Sequence, residues 1–350
     1  MKLSEFLKKK KEITVGYFGG SITEDDKYRK YVNEILRETY KGNSFSEINA
    51  GIGGTSSFLG VHRAERDILS KEPDILFIDF SVNDMAGVDD GDFSIYKRTM
   101  EGIVRKTRKT LPETLIVILG FTTETAINDY FKKGTLAPCV CEHIKVAEHY
   151  NIPYINAGKE LFCYLEKSGD NIRDYLHDGC HPNDKGGKFY ADVVTEFISE
   201  YDWNMKDKAP LSENNLENAT LLMGRDYKNE DWKLSSCTLY GRLPDYIYCY
   251  TPGKELEVPF CGSAFGIYCT TEKDSGIIEY SIDGSDWKKV STWDEYALKF
   301  NRANSYTFAK NLENKKHTAK IRVSKDKDEL SEGYYIRIGA FFGERDKNEI

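Results

Sequence analysis

Two patterns of hydrophobic and polar positions divide the chain. From Ile13 to about Tyr201, short apolar runs alternate with stretches whose apolar residues recur at helical spacing. The runs Ile13–Phe18, Phe45–Asn49, Ile75–Phe80, Leu115–Gly120 and Ile152–Asn156 predict strands. Between them, Lys27–Tyr40, Gly60–Leu69, Tyr96–Thr110, Pro138–Tyr150 and Asp184–Glu200 predict helices. In the last of these, Phe189, Val193, Val194, Phe197 and Ile198 fall on one side. Strands that alternate with helices imply a parallel sheet covered on both faces, an α/β/α arrangement. Ligands of such sheets sit at the carboxyl ends of the strands, so the residues just after each strand carry the interest.

From about Ala219 the pattern changes. Short runs rich in Tyr, Ile and Val are separated by turn signals at Leu243-Pro244-Asp245, Thr251-Pro252-Gly253, Asp274-Ser275-Gly276 and Asp283-Gly284. Ile277–Ile282 and Trp287–Val290, joined across Asp283-Gly284, predict a hairpin. No long helical pattern occurs, so this half reads as an antiparallel β-sandwich. The predicted organisation is a first domain over 1–204, a polar linker over 205–218 that contains Pro210, and a second domain over 219–350. The tail from Glu344 to Ile350 is charged and reads as frayed.

Composition narrows the class. The 350 residues are 40% hydrophobic and 30% charged, which fits neither gross disorder nor a membrane protein. Met1–Lys11 is Lys-rich without the apolar core of a secretory signal, so the expectation is a cytoplasmic protein. The net charge of −8 argues against nucleic acid or an anionic membrane as partner. The eight cysteines are scattered and read as free thiols.

Four segments carry candidate chemistry. Gly19-Gly20-Ser21 follows the first strand, where a tight turn would aim the Ser21 hydroxyl and its own N–H into a cleft. The phosphate-binding pattern G-x-G-x-x-G and a P-loop lysine are both absent there. Gly51-Ile52-Gly53-Gly54-Thr55 follows the second strand, where glycines allow backbone amides to approach a ligand. Ser81-Val82-Asn83-Asp84 follows the third, and Asn83 there either aims its amide at the cleft or makes an Asx turn. Asp178-Gly179-Cys180-His181-Pro182 precedes the last helix. The spacing allows a carboxylate–imidazole pair, and Pro182 disfavours helical backbone at His181.

Taken together, and in this order, the four segments resemble the SGNH (GDSL-type) hydrolase superfamily, over about Ile13 to Glu200. The nucleophile motif reads Gly19-Gly20-Ser21 where the family pattern has G-D-S, a departure also found in esterase-like relatives. The resemblance implies a flavodoxin-like three-layer fold. It implies Ser21 as nucleophile, His181 as base and Asp178 as the carboxylate that orients it. The implied oxyanion hole is the Ser21 N–H, the Gly54 N–H and the Asn83 side chain, with Gly53 as alternative to Gly54. Gly53, Thr55 and Asp84 are further candidates for substrate contact. The physics of these roles is independent of the resemblance. A serine hydroxyl attacks only when an imidazole takes its proton. A carboxylate fixes the imidazole tautomer, and converging donors stabilise the oxyanion. This chemistry needs neither cofactor nor metal. The G-x-S-x-G elbow of α/β-hydrolases is absent.

Other residues compete with these for a functional role. Cys139-Val140-Cys141-Glu142-His143 could suggest a metal, but only Cys139 and His143 share a helical face, and the cysteines read as buried thiols. His177 adjoins Asp178, yet neighbouring side chains diverge, which favours His181. Glu24-Asp25-Asp26 reads as a solvated helix start. The second half resembles the β-sandwich, jelly-roll-like accessory domains that accompany carbohydrate esterases of this superfamily. Its Trp287, Trp293, Tyr296 and Tyr306 either stack on sugar rings or pack the sandwich, and the domain could also wall the site within the chain or across a homodimer. The resemblance as a whole implies an esterase that removes short acyl groups, acetyl first among them, from oligosaccharides such as mannan or xylan fragments. A lysophospholipase or thioesterase, and a carbohydrate-binding protein with a vestigial site, are the competing expectations.

Overall fold

The computed structural model describes residues 1–86, 91–204, 206–236 and 242–345. The chain divides into two compact units, Met1–Glu217 and Asn218–Ile350.

In the first unit, five parallel strands form a sheet in the order β2-β1-β3-β4-β5: β1 (Glu12–Gly19), β2 (Ser44–Gly51), β3 (Ile75–Asp79), β4 (Leu115–Leu119) and β5 (Tyr154–Ile155). Every position of β3 and β4 is buried, as a sheet covered on both faces requires. The helices are α1 (Leu3–Leu7), α2 (Ser21–Glu24), α3 (Lys27–Thr39), α4 (Ser57–Asp67), α5 (Ser81–Ala86), α6 (Ser94–Thr110), α7 (Glu124–Asp129), α8 (Pro138–Tyr150), α9 (Ala157–Ser168) and α10 (Asp184–Glu200). Val15 and Tyr17 of β1 join one core with Val32 and Leu36 of α3, Leu161 of α9 and Tyr190 and Val194 of α10. Phe18 faces the other way, under the Arg63 guanidinium of α4, 4.4 Å from the ring centre.

Three differences from the sequence expectation have physical causes. The Lys-rich start folds as α1 because Leu3, Phe6 and Leu7 enter the core, while the lysines stay outside. β5 shrinks to two residues, and α9 follows it at once, capped by the Asn156 side chain on the Lys159 N–H. The expected linker packs on α6: Arg98 Nε donates to the Asn214 carbonyl, Arg105 pairs with Glu217, and Leu216 is buried. Among the described residues no helix is long and apolar enough to cross a membrane.

Register places the site. Gly19 is paired with Gly51 on one side and Asp79 on the other, so β1, β2 and β3 end at one level. Ser21, Gly53 and Asn83 leave from those ends. Strand β1 lies between β2 and β3, where the chain's winding reverses and an α/β sheet opens a crevice. Helix α10 brings the remaining residues. A β-carbon on Gly187 would lie 2.8 Å from the Lys27 backbone, so α10 meets the start of α3 at glycine distance.

The second unit is one antiparallel sheet of nine strands: β6 (Ala219–Met223), β7 (Lys233–Ser236), β8 (Asp245–Cys249), β9 (Glu255–Thr271), β10 (Ile277–Ile282), β11 (Lys288–Ser291), β12 (Arg302–Ala309), β13 (Lys315–Val323) and β14 (Ile336–Glu344). The long β9 changes partner along one edge, pairing with β13 up to Gly262 and with β12 from Phe265. β14 likewise passes from β8 to β6. These handovers bring the inner faces together into a sandwich around Phe260, Phe265, Ile267, Ile321, Ile338 and Phe341. The hairpin forms as expected, with Ile278 opposite Val290 and positive φ at both Asp283 and Gly284. Trp293 is buried, Arg322 covers the Trp287 ring, Tyr306 packs against the core and Tyr296 is half exposed. Cys139, Cys141, Cys163, Cys180, Cys249 and Cys269 are free thiols. The end of the charged tail, 346–350, lies outside the described residues.

Candidate active site

Ser21 opens α2, two residues past the end of β1, with Gly20 as the preceding cap residue. The Glu24 N–H donates to the Gly20 carbonyl and the Asp25 N–H to the Ser21 carbonyl, so a single helical turn fixes the serine. Its Oγ lies 2.8 Å from His181 Nε2. His181 Nδ1 lies 2.7 Å from Asp178 Oδ2. A carboxylate only accepts, so Nδ1 carries the proton and Nε2 is free to accept from the Ser21 hydroxyl. The three residues therefore have the hydrogen-bond geometry that a nucleophile, a base and an orienting acid require. Ser21 and His181 are partly exposed, which leaves the site open to a ligand.

The loop that carries the base is held from several directions. Asp178 Oδ1 accepts from the N–H groups of Cys180 (2.9 Å) and His181 (2.7 Å). The His177 N–H donates to the His181 carbonyl, and the Glu124 N–H donates to the Gly179 carbonyl. Asn183 then caps α10 by accepting from the Gly186 N–H. Burial acts to raise the Asp178 carboxyl, but hydrogen bonds from His181 and the Cys180 amide outweigh it and hold the group well below the usual carboxylate range. It stays ionised beside the imidazole. Burial pushes the Cys180 thiol up to about 11, which keeps it protonated and unreactive. His177 lies 3.9 Å from Asp178 with its side chain mostly exposed, and it is His181 that faces Ser21.

The remaining candidates separate. A β-carbon on Gly20 would lie 1.9 Å from Asn83 Oδ1, so the Asn83 amide lies directly against the residue before the nucleophile. Asn83 sits in the first turn of α5 and makes no strand-end Asx turn. Gly54 is exposed with φ 71°. The Gly53 N–H is already spent on Glu24 Oε2 at 2.8 Å, which favours Gly54 of the two expected amides. Thr55 and Asp84, expected as substrate contacts, are turned inward. Thr55 Oγ1 donates to the Ile52 carbonyl. Asp84 is fully buried, accepting from the Ser57 N–H and meeting His143 Nε2. His143 thus spends its ring on a carboxylate. Among the described residues no group of three His, Cys, Asp or Glu is placed to hold a metal ion.

Sequence reasoning missed the supports. Glu24 is no free surface acid, because it holds the Gly53 amide. Arg63, fully buried on α4, donates to the carbonyls of Gly19 (3.0 Å) and Ala50 (2.8 Å), and so ties together the ends of β1 and β2. Asp79, at the end of β3, accepts from Thr23 Oγ1 at 3.0 Å, two residues after Ser21. Burial drives its carboxyl up to about 7, and the nearby Asp84 charge adds to the rise. Glu24 and Asp79 at least lie beside strand ends, whereas Arg63, inside α4, carries no sequence signal of its contacts.

The parallel 2-1-3-4-5 sheet thus carries a serine, an imidazole and a carboxylate in line at its carboxyl edge. Residues 13–189 match the family of GDSL-like lipases and acylhydrolases, and the chain belongs to that family. It is a carboxylic ester hydrolase. No curated protein matches it in sequence. Among solved structures it is similar to a two-domain esterase active on acetylated mannans, co-crystallised with mannopentaose. That likeness has a TM-score of 0.78 at 24% identity and covers 99% of this chain and 95% of that one. A second crystal structure of a two-domain esterase active on acetylated mannans gives 0.79 at 23% identity, over 99% and 94%. At such identities the likeness is one of fold, and it takes in the residues of both units.

Proposed function

We propose that the protein is a serine acetylesterase that removes acetyl groups from oligosaccharides, of the kind derived from acetylated mannan or xylan. The observation that carries this reading is the relay Ser21 Oγ–His181 Nε2 at 2.8 Å and His181 Nδ1–Asp178 Oδ2 at 2.7 Å. In the first step, Ser21 Oγ attacks the ester carbonyl as His181 Nε2 takes its proton. Asp178 stabilises the imidazolium and holds its tautomer. The Ser21 and Gly54 amides and the Asn83 side chain receive the oxyanion. His181 then returns the proton to the departing sugar oxygen, leaving an acetyl-Ser21 ester. Water, activated by the same imidazole, releases acetate and restores the hydroxyl. The carbohydrate part of the reading is supported by the shared fold of the mannan-active esterase across the chain.

The test compares wild type with Ser21→Ala on 4-nitrophenyl acetate, butyrate and octanoate, and on acetylated manno- and xylo-oligosaccharides. Acetate turned over fastest, acetyl released from the oligosaccharides and an inactive variant would support the proposal. Preference for octanoate would replace it with a lipid or thioester substrate. Saturable sugar binding without turnover of any ester would make the protein a binding module.

A further inference from the structure

Asp84 follows Asn83 on α5, yet its side chain never reaches the crevice. Its two oxygens are divided between two other helices. Oδ1 accepts from the N–H of Ser57, the first residue of α4, at 2.8 Å. Oδ2 meets Nε2 of His143 on α8 at 2.9 Å. All the partners are buried. The His143 Nδ1 atom is buried too and has no hydrogen-bond partner among the described residues. A ring proton therefore belongs on Nε2, pointing at Asp84. One turn earlier on α8, the Cys139 thiol donates to the Ser81 carbonyl at the start of α5. The short helix α5, six residues long, is thus pinned at its first residue by Cys139 and at its fourth by Asp84. Asn83 lies between those two points.

We propose that Asp84, paired with His143, is a positioning residue that holds Asn83 at the oxyanion hole. The pair replaces the flexibility of a one-and-a-half-turn helix with two fixed contacts in a dry interior, where a charged hydrogen bond is at its strongest. The inference rests on reading Asn83 as an oxyanion donor, and the experiment separates the two.

Asp84→Asn is nearly isosteric but cannot satisfy the site. With Oδ1 kept toward Ser57, its amide donor faces His143 Nε2, and the imidazole proton must move to the partnerless Nδ1. With the amide turned over, its NH₂ meets the Ser57 N–H. Either way α5 loosens while the core volume stays the same. The measurement is a double-mutant cycle with 4-nitrophenyl acetate: wild type, Asn83→Ala, Asp84→Asn and both together, with folding followed by circular dichroism and thermal melting. Asp84→Asn is expected to lower kcat by about tenfold or more with KM changed by less than about threefold. In the Asn83→Ala background the same change should cost less than about twofold, because the donor it positions is gone. If Asn83→Ala alone leaves kcat unchanged, the oxyanion role falls, and this proposal with it. If Asn83→Ala is slow and Asp84→Asn multiplies the loss, or if Asp84→Asn is as fast as wild type, the positioning role alone is overturned. Should Asp84→Asn fail to fold, His143→Leu, which removes the donor to Asp84 Oδ2, enters the same cycle with the same expectations.

Discussion

Gly20→Ala is the sharpest perturbation the site offers. Gly20 has φ −90°, outside the left-handed region, so the change carries no positive-φ strain. Its effect is steric. The new β-carbon would lie 1.9 Å from Asn83 Oδ1 and 3.0 Å from Cγ. Ordinary contact begins near 3.4 Å, so the amide must retreat by about 1.5 Å (3.4 − 1.9). A hydrogen bond of about 2.9 Å lengthened by that much is no longer a hydrogen bond. Loss of one oxyanion donor costs about 10²- to 10³-fold in kcat, or roughly 3–4 kcal/mol. Gly20→Ala should therefore match Asn83→Ala in kcat on 4-nitrophenyl acetate, with a similar KM. The double variant should be no slower than Asn83→Ala. A Gly20→Ala enzyme within about threefold of wild type would refute the reasoning, because the amide would then have tolerated the shift. A double variant far slower than either single one would refute it as well, since Gly20 would then act by another route.

Three further outcomes follow from the geometry. Asp178→Asn places an amide donor against His181 Nδ1, reverses the tautomer and should lower kcat by about 10³-fold or more, checked by initial rates at pH 8. Asp79, raised to about 7, takes up a proton on folding at a pH where the unfolded carboxyl is ionised. Its presence therefore destabilises the fold progressively as pH rises from about 4 to about 7 and by a constant amount above that, at most about 4 kcal/mol. Urea melts of Asp79→Asn and wild type should show a gap that grows over that window and then levels off; a constant gap would discard the assignment. Arg63→Lys keeps the charge but loses the fork that spans the Gly19 and Ala50 carbonyls, and it should lower both the melting temperature and kcat. Unchanged melting would show that the fork contributes little.

The parallel strands were legible because buried strands of this kind read as unbroken apolar runs, and Ile75 to Ile78 and Leu115 to Leu119 are such runs. The hairpin was legible because Asp283-Gly284 accepts positive φ at both positions. The relay was legible as residue types and order, since Ser21 and the Asp178–His181 pair fall at places a crevice would use. What stayed hidden depends on distance in the chain. Asp84 and His143 are 59 residues apart, and nothing in either neighbourhood announces the other. Asp84 looked like a ligand contact because it follows Asn83, and on a helix that neighbour points elsewhere. The polar stretch before Asn218 looked like a linker because its anchors, Arg98 and Arg105, lie a hundred residues upstream on α6. Its carbonyls and Glu217 have partners that composition does not reveal.

The hydrogen bond between Ser21 and His181 spans 160 residues of chain, and every strand of the first sheet ends before His181 is reached. The pair is therefore completed only by residues synthesised after the whole sheet. A ribosome that has released all five strands has yet to supply the base, and a refolding chain can regain its sheet while remaining inert. Turnover should thus appear only when α10 docks on α3, later than the circular-dichroism signal of the sheet. The enzyme's own activity then serves as a clock for that final docking.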